Sequence, residues 1–247
     1  MKNIKNLKTI IDKSNYMVFF GGAGVSTESG IPDFRSEEGL YKVKEIYNHS
    51  PEEILNIDFF TSHMDIFYKY HKKNIIHQNA KPNWAHKGLA QLEKMNKLEA
   101  IITQNIDGLH QKAGSQNVLE LHGTVYKNYC MVCGEEFNLD YIINSEKDVP
   151  KCDRCGGNIR PDVVLYGEGL KTDVIEKAVN HILNADTLIV GGSSLVVHPA
   201  AGLIRYFKGD NLVLINKTPT NFDSSANLTI REPIGETFKK LMKLYSE

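Results

Sequence analysis

The sequence lacks an excess of either charge. Its 247 residues carry 29 Lys and Arg against 30 Asp and Glu, which gives a net charge of −1 at pH 7. Because DNA, RNA and anionic membranes attract proteins through basic surfaces, this balance gives no reason to expect a nucleic acid or a membrane as the main partner. The sequence also lacks an apolar run of the length that spans a bilayer.

The N-terminus lacks the apolar core of a secretory signal peptide. Ile4, Leu7, Ile10 and Ile11 instead recur at helical spacing among lysines, which predicts an amphipathic first helix. Internal repeats and low-complexity tracts are absent as well. With 41% hydrophobic and 24% charged residues, the chain is expected to be a globular protein of the cytoplasm.

Short, β-branched apolar runs alternate with helical patterns along the chain. The runs are predicted to be buried strands at 15–20, 100–104, 187–192 and 211–216, with a further candidate at 117–123. Amphipathic helices are predicted at 82–95, at 173–185 and at the C-terminal end. This alternation is typical of an α/β fold with a Rossmann-like, doubly wound parallel sheet.

Two stretches interrupt the alternation. Residues 36–80 hold helical patterns without a good strand, and residues 124–160 hold all four cysteines and little apolar periodicity. Both stretches are therefore interpreted as insertions into the larger α/β unit.

The four cysteines form two C-x-x-C pairs. Cys130 and Cys133 are followed, after 18 residues, by Cys152 and Cys155, which matches the spacing of a zinc site with four thiolate ligands. A glycine follows each pair and permits the tight turn that points both thiolates at one ion. Disulfides are rare in the cytoplasm, and doubling of the motif argues against a redox C-x-x-C. We predict one structural zinc ion, since a four-thiolate site has no open position for catalysis.

The segment GGAGVSTESGIPDFRS, residues 21–36, follows the first predicted strand. Gly22 and Gly24 partly match the glycine fingerprint in which backbone amides and a helix N-terminus bind a pyrophosphate. The match is incomplete because Thr27 replaces the third glycine and no acidic residue ends a second strand about 20 residues later. Gly30 and Pro32 would end the helix within two turns. Taken alone, the segment leaves nucleotide binding and a plain turn both open.

Polar side chains follow two further predicted strands. Gln104, Asn105 and Asp107 stand where parallel strands normally place their ligand contacts, and they suit either a ligand site or an Asx turn that caps the next helix. The candidate strand at 117–123 ends in His122. A single histidine at a strand end is more often structural, but beside a sugar-binding site it is placed to act as a general base.

These features together resemble the sirtuins, the NAD-dependent protein-lysine deacylases, from about residue 5 to the C-terminus. The segments that carry the resemblance occur in the family's order: GAGVSTESGIPDFRS (22–36), TQNIDGLHQKAG (103–114), ELHG (120–123), the two C-x-x-C pairs, IRPDVVLYGE (159–168), GGSSLVVHPA (191–200) and LINKT (214–218). The sequence looks most like the short bacterial and archaeal members.

The resemblance implies NAD as cofactor and acetyl-lysine proteins or peptides as substrates. It also implies a Rossmann-like, NAD-binding large domain (1–35, 81–123 and 161–247) and a small domain with a helical module (36–80) and a zinc-ribbon module (124–160). It implies a transferase reaction in which the acyl oxygen attacks the nicotinamide ribose, moving the acyl group from lysine to ADP-ribose. The products would be nicotinamide, O-acetyl-ADP-ribose and free lysine.

The resemblance also assigns site residues. His122, Asn105 and Asp107 would be catalytic, with His122 as the general base. The residues implied for NAD binding are Gly22, Ala23, Gly24, Thr27, Asp33, Phe34, Arg35, Gln104, Asn105, Ile106, Asp107, His122, Gly192, Ser193, Ser194, Asn216, Lys217 and Ile234. An extended peptide is expected to add as a strand between two backbone edges, with these substrate-binding residues: Val164, Tyr166, Gly167, Glu168 and Val196.

One position departs from the pattern of family members that remove acidic acyl groups, which carry a tyrosine and an arginine three residues apart. Tyr68 is present, but His71 replaces the arginine. A mostly neutral imidazole cannot bind a carboxylate as a permanently charged guanidinium does. We therefore predict deacetylation with only weak desuccinylation, and we expect His71 itself to be a solvated helix residue.

Two other functions share parts of this pattern. NAD-dependent mono-ADP-ribosyl transfer to a protein shares the first chemical step and needs no acyl-lysine. A non-catalytic module that binds NAD or a nucleic acid is disfavoured by the near-neutral charge and by the presence of Asn105, Asp107 and His122. The protein is expected to be a monomer.

Overall fold

The computed structural model describes residues 1–33 and 44–246. Its strands, in chain order, are β1 (Met17–Gly21), β2 (Ala100–Thr103), β3 (Val118–Glu120), β4 (Gly123–Cys130), β5 (Glu136–Asn138), β6 (Ile159–Val163), β7 (Thr187–Gly191), β8 (Asn211–Ile215) and β9 (Leu228–Ile230). Its helices are α1 (Lys2–Lys13), α2 (Pro51–Ile54), α3 (Ile57–Ser62), α4 (Met64–Tyr70), α5 (Trp84–Lys94), α6 (Leu109–Lys112), α7 (Leu139–Asn144), α8 (Thr172–Asn184) and α9 (Ile234–Ser246).

The larger sheet is parallel and has the strand order β3-β2-β1-β7-β8-β9. Every residue of β1, β2 and β7 is buried, as expected for parallel strands covered on both faces. The chain builds one half of the sheet outward from β1 and the other half outward from β7, which is the Rossmann order. The predicted doubly wound sheet is confirmed.

Helices cover both faces of this sheet. On one face, α1, α5 and α9 pack against Phe19 and Ile101, and on the other, α8 and a 3-10 helix at Ala200–Tyr206 pack against Phe20 and Ile102. Successive strand residues point to opposite faces, so each strand contributes to both layers.

The first strand begins later than predicted, at Met17 rather than residue 15. The amides of Asn15 and Tyr16 donate to the carboxylate of Asp186 over 2.7 and 3.1 Å. Because these two amides bond to a side chain, they do not bond to a neighbouring strand, and β1 begins at the next residue.

A smaller, antiparallel sheet with the order β5-β4-β6 carries the cysteine segment. It shares a hydrophobic core with the helices of residues 51–70, in which Phe60, Phe67 and Tyr68 pack near Ile142 and Ile159. The helices of residues 51–70 and the cysteine-bearing sheet therefore share one core.

His71 is not the solvated helix residue that we expected. Its side chain is fully buried and stacks on Phe67, with ring centroids 5.4 Å apart. Phe67, His71 and Ile75 recur every four residues, and α4 continues as a π-helical turn at His71–Ile75, so His71 lies on the same face as its two buried apolar neighbours. Burial lowers the pKa of His71 to about 4.

Within residues 1–33 and 44–246, every helix is too short or too polar to cross a lipid bilayer.

Candidate active site at the carboxyl ends of the parallel strands

The larger sheet has a topological switch point between β1 and β7. The chain leaves β1 toward β2 and leaves β7 toward β8, on the opposite side, so a crevice forms outside the carboxyl ends of these two strands. The predicted site residues follow the strand ends: 22–27 after β1, 104–107 after β2, His122 after β3, 192–194 after β7, and 216–217 after β8. The topology therefore brings segments that are far apart in sequence to one edge of the sheet.

The glycine loop lies directly against the loop after β7. The Gly24 amide donates to the Gly192 carbonyl over 2.8 Å. A Cβ on Gly24 would lie 2.8 Å from the Gly192 Cα, and a Cβ on Gly22 would lie 2.9 Å from the Gly192 carbonyl oxygen. Because these neighbours are backbone atoms, the close approach of the two loops requires glycine at both positions.

The loop does not form the α-helical N-terminus that the fingerprint predicts. It makes two 3-10 turns, Ala23–Val25 and Thr27–Ser29, and Gly30 then adopts a left-handed conformation with φ 81°. The Gly24 amide is already bonded to the Gly192 carbonyl, just after β7, and the left-handed Gly30 ends the second turn, which leaves no length for an α-helix.

Ser26 connects the glycine loop to the polar residues after β2. Its hydroxyl donates to Asp107 Oδ2 over 2.6 Å and accepts from Asn105 Nδ2 over 3.1 Å. Ser26 and Asn105 are buried. Asp107 Oδ1 also accepts from the amide of Leu109 over 2.9 Å at the start of α6, which is the contact of the predicted Asx turn.

Sequence reasoning did not identify Ser26 as a site residue. Its partners are 79 and 81 residues away in sequence, so no local sequence pattern predicts these hydrogen bonds. The one feature that could have suggested a role for Ser26 is its position as a small hydroxyl residue inside the glycine loop.

His122 has a defined tautomer. Its Nδ1 lies 2.9 Å from the carbonyl oxygen of Gln104, and because a carbonyl only accepts, Nδ1 carries the proton and Nε2 keeps a free lone pair. Burial lowers the pKa of His122, which outweighs the smaller, raising effect of the Gln104 carbonyl. The ring is therefore neutral at pH 7, with a basic nitrogen available.

The loops after β7 and β8 are joined by Asn216. The Ser193 amide donates to Asn216 Oδ1 over 3.0 Å, and Asn216 Nδ2 donates back to the Ser193 carbonyl. Gln104 Nε2 donates to Ser193 Oγ over 3.1 Å. His122, Gln104, Ser193 and Asn216 are thus linked in one chain of hydrogen bonds across the strand ends.

A pair of buried histidines lies next to this cluster. His86 on α5 and His110 on α6 have ring centroids 4.8 Å apart, and both are buried. Burial lowers the pKa of His86 to about 4 and lowers that of His110 as well. Both rings are neutral, so the carboxylate of Asp107 faces no imidazolium from this pair.

The predicted substrate segment contacts His122, the predicted general base. The Val164 amide donates to the His122 carbonyl over 2.9 Å. The Tyr166 amide donates to the Leu55 carbonyl over 2.9 Å, and the Tyr166 carbonyl accepts from the Ile57 amide over 3.0 Å. Because these amides and this carbonyl are already hydrogen-bonded within the protein, fewer backbone groups of this segment remain for a peptide than predicted.

Other predicted residues differ in their surroundings. Tyr166 and Val196 are exposed, at 47% and 51%, whereas the carboxylate of Glu168 pairs with Arg160. Ile234 is 3% exposed and belongs to the core beneath the sheet. Four of the remaining positions are exposed: Asp33, Gly167, Ser194 and Lys217. Three others are half-buried: Ala23, Thr27 and Ile106. Phe34 and Arg35 lie outside the described residues.

The donor set at these strand ends fits a dinucleotide. Hydroxyl, amide and carboxylate side chains from Ser26, Gln104, Asn105 and Asp107 converge at the switch point, where the glycine loop brings its backbone close. Polar groups of these kinds bind ribose hydroxyls and amides, and backbone amides bind phosphates.

The four cysteines converge on one point. Their sulfur atoms all lie within 4.8 Å of one another, and Cys130–Cys155, Cys133–Cys155 and Cys133–Cys152 are separated by 3.4, 3.4 and 3.7 Å. A tetrahedral zinc ion with sulfur ligands at about 2.3 Å would place them about 3.8 Å apart. The cluster therefore fits the predicted zinc ion.

The two cysteine turns have matching backbones. Gly134 and Gly156 have φ angles of 73° and 74°, and their amides donate to the carbonyls of Cys130 and Cys152 over 3.0 and 2.9 Å. Both glycines are in the left-handed conformation, and each makes the tight turn that was predicted after its pair.

Comparison with known proteins extends the resemblance over nearly the whole chain. The sequence model of the Sir2 family matches residues 22–199. The NAD-dependent protein deacetylase of Clostridium acetobutylicum is 55% identical over 242 residues, which cover 98% of this chain and 99% of that protein. The NAD-dependent protein deacetylase of Clostridium tetani is 59% identical over 235 residues, which cover 95% of each chain.

Solved structures agree with the sequence comparison. A structure of Sir2 with a p53 peptide and NAD+ has a TM-score of 0.88 at 40% identity and covers 98% of both chains. A structure of Sir2Tm bound to a propionylated peptide has a TM-score of 0.88 at 40% identity and covers 100% of this chain and 99% of that one. The resemblance drawn from the motifs is confirmed, and the chain belongs to the Sir2 family.

Proposed function

We propose that this protein is an NAD-dependent protein-lysine deacetylase. The observation that carries the proposal is His122: a neutral imidazole with a free Nε2, held at the carboxyl ends of the strands by the Gln104 carbonyl. Relatives at 55% and 59% identity, matched over almost their full length, are NAD-dependent protein deacetylases.

When bound, NAD would supply an electrophilic ribose carbon, the target of the acyl oxygen, whose bond to nicotinamide is weakened by the pyridinium charge. His122 Nε2 would accept a proton from a ribose hydroxyl, and Asn105 and Asp107, fixed by Ser26, would orient the nicotinamide and its ribose. The products would be free lysine, nicotinamide and O-acetyl-ADP-ribose, and one water molecule is consumed because its oxygen replaces the lysine nitrogen on the acyl carbon. Catalysis of this kind depends on orientation and on exclusion of water until nicotinamide has left.

NAD would lie along the switch point. We assign its phosphates and adenine ribose to the glycine loop (Gly22, Ala23, Gly24 and Thr27) and to Gly192, Ser193 and Ser194. Asn216 and Lys217 would hold the adenosine half and Ile234 the adenine end, while Gln104 and Ile106 would adjoin the nicotinamide. Asp33, Phe34 and Arg35 would cover the ribose. The close approach of Gly24 to Gly192 supports this, since it presents two backbone loops side by side.

The acetyl-lysine peptide would lie across Gly167, between Tyr166 and Val196, with Val164 lining the lysine channel beside His122. The exposure of Tyr166 and Val196 supports this placement. Glu168 would contribute through its backbone, because its carboxylate is paired with Arg160.

Acetyl groups would be preferred over succinyl groups. The Tyr68 hydroxyl donates to the Ile159 carbonyl over 2.6 Å, and His71 is fully buried. Neither side chain is available to a succinyl carboxylate, and neither carries the charge that would bind one.

The remaining proposals concern the domains, the oligomeric state and the location of the protein. The large, NAD-binding domain would comprise residues 1–35, 81–123 and 161–247, and the small domain residues 36–80 and 124–160. The protein would act as a monomer in the cytoplasm, where thiolate zinc ligands stay reduced.

The experiment is to incubate the protein with NAD and one peptide sequence carrying acetyl-lysine, succinyl-lysine or unmodified lysine, and to measure the peptides by mass spectrometry. We expect conversion of the acetyl peptide to free lysine, with much slower conversion of the succinyl peptide. A peptide that instead gains the mass of ADP-ribose would establish mono-ADP-ribosyl transfer. Equal turnover of the two acyl peptides would contradict the acetyl preference.

A further inference from the structure

We infer that Arg160 is a positioning residue for peptide binding, acting through Glu168 to fix the segment 163–168 beside His122. The inference rests on the proposed function, in which that segment contacts the acetyl-lysine substrate. It assigns to Arg160 a role in the reaction although its side chain lies on β6, outside the crevice at the strand ends.

Arg160 and Glu168 form a two-pronged ion pair. The Nη1–Oε1 and Nη2–Oε2 distances are 2.8 and 2.9 Å, and the side chains are 13% and 24% exposed. The pair raises the pKa of Arg160 and lowers that of Glu168 despite the opposing effect of burial. Parallel hydrogen bonds between planar groups fix orientation as well as distance.

The same two side chains close the turn between them. Glu168 Oε2 also accepts from the Leu165 amide over 2.9 Å, and Arg160 Nη2 also donates to the Val163 carbonyl over 3.2 Å. The ion pair is therefore bonded to the backbone of the segment it spans. Since the Val164 amide donates to the His122 carbonyl, the position of this turn and that of the catalytic histidine are directly connected.

Arg160 is itself fixed by the small core. Its guanidinium carbon lies 5.6 Å from the centroid of the Phe60 ring and 5.8 Å from that of the Tyr129 ring. Contacts of a guanidinium with aromatic faces are favourable and directional. The ion pair therefore holds the substrate segment in a fixed position relative to α3 and β4. A cation without the planar guanidinium would not make both sets of contacts.

NAD binding is expected to be independent of this pair. Apart from His122 and Ile234, the groups assigned to NAD follow β1, β2, β7 and β8. The side chains of Arg160 and Glu168 instead contact one another and these residues: Phe60, Tyr129, Pro161, Val163 and Leu165. Loosening the pair should thus affect the peptide and leave the cofactor unaffected.

The test uses Arg160→Lys and Glu168→Gln in the full-length, zinc-containing protein. Lysine keeps the charge but cannot make two parallel bonds, and glutamine keeps an acceptor for Leu165 but loses the charge. The matched control is Lys171→Ala, which breaks the more exposed pair of Lys171 with Asp162, 2.7 Å apart. Steady-state kinetics with an acetyl-lysine peptide would give KM for the peptide, KM for NAD and kcat, alongside zinc content and Tm.

We expect the peptide KM to rise about tenfold in both variants, with kcat and the NAD KM within about twofold of wild type. Hydrogen exchange of the amides at 164–166 should accelerate, and the control should match wild type. A peptide KM within about twofold of wild type in an active enzyme would overturn the inference. So would a parallel loss of kcat and NAD affinity with loss of zinc, which would mark a purely structural role. A wild-type protein that does not deacetylate the peptide would instead overturn the proposed function.

Discussion

His122 donates its Nδ1 proton to the Gln104 carbonyl over 2.9 Å, and this bond leaves Nε2 as the basic nitrogen of the ring. Burial lowers the pKa of the same ring. One contact thereby sets the tautomer, and the surroundings set the protonation state.

The pH dependence of deacetylation follows from that lowered pKa. Only the neutral ring accepts a proton, and a lowered pKa keeps it neutral further into acid. We therefore expect kcat/KM to be constant from about pH 8 down to about pH 6.5, the ordinary pKa of histidine, and to fall only below it. Initial rates across this range, with zinc content checked at each pH, measure the effect. A fall that begins above about pH 7 would contradict it.

Removal of the base should be severe. His122→Ala is expected to lower kcat by about a hundredfold to ten-thousandfold. The matched control is His181→Gln. His181 lies on α8, its ring is hydrogen-bonded to the Tyr16 hydroxyl, and burial lowers its pKa as well. Full activity of His122→Ala would refute the assigned mechanism.

Ser26 provides a third prediction. Ser26→Ala leaves the buried amide of Asn105 and the half-buried carboxylate of Asp107 without the hydroxyl that joins them. An unpaired buried polar group costs about 1–3 kcal/mol, so kcat/KM for NAD should fall by about tenfold to a hundredfold. Ser29→Ala, in the same loop but bonded to Asn83, should change it by less than about threefold. Equal effects of the two substitutions would argue against the Ser26 network.

Zinc removal should unfold the smaller sheet. The two cysteine turns meet at the four sulfur atoms, and structural zinc contributes directly to folding. A strong chelator should release one zinc ion per chain, lower the helical circular-dichroism signal and abolish NAD binding. Full retention of both after the metal has been removed would rule out a structural role for the zinc.

The burial of His71 predicts a loss of stability in acid. Its pKa is lowered to about 4 by burial, whereas the unfolded chain binds a proton near pH 6.5. As the pH falls from about 6.5 toward about 4, the unfolded state gains protons that the folded state does not, and the free energy of unfolding falls by about 1.4 kcal/mol per pH unit.

Urea unfolding at about pH 7 and about pH 5.5 would measure this loss. His71→Leu, which removes the titrating ring but fills the core, should lose less stability between the two pH values than wild type. The exposed control His63→Leu should retain the wild-type difference. An unchanged difference in His71→Leu would mean that His71 is not the group responsible.

The sequence was sufficient for features that depend on local patterns. The alternation of buried runs and helical faces predicted α5, α8, α9 and the parallel sheet, and the spacing of the cysteines predicted their convergence. The turn glycines Gly134 and Gly156 were predicted for the same reason: a few adjacent residues determine the geometry.

Features that depend on distant partners could not be predicted. Ser26 bonds to Asp107, which is 81 residues away in sequence. Asp186 bonds to the amide of Tyr16, 170 residues away, and so delays the start of β1. Gly24 packs against Gly192. His71 could have been placed correctly, because its spacing from Phe67 and Ile75 marks the buried face, but the chemical type of the residue suggested solvent. Its burial depends on a core formed by two separate stretches of the chain.

The most direct test of the central claim is the release of nicotinamide from NAD with an acetyl-lysine peptide, with the unmodified peptide, and with no peptide. We expect release only in the first case, because the acyl oxygen is the attacking group. Equal release in all three would contradict it and favour NAD hydrolysis or ADP-ribosyl transfer, and no release in any would favour a non-catalytic NAD-binding protein.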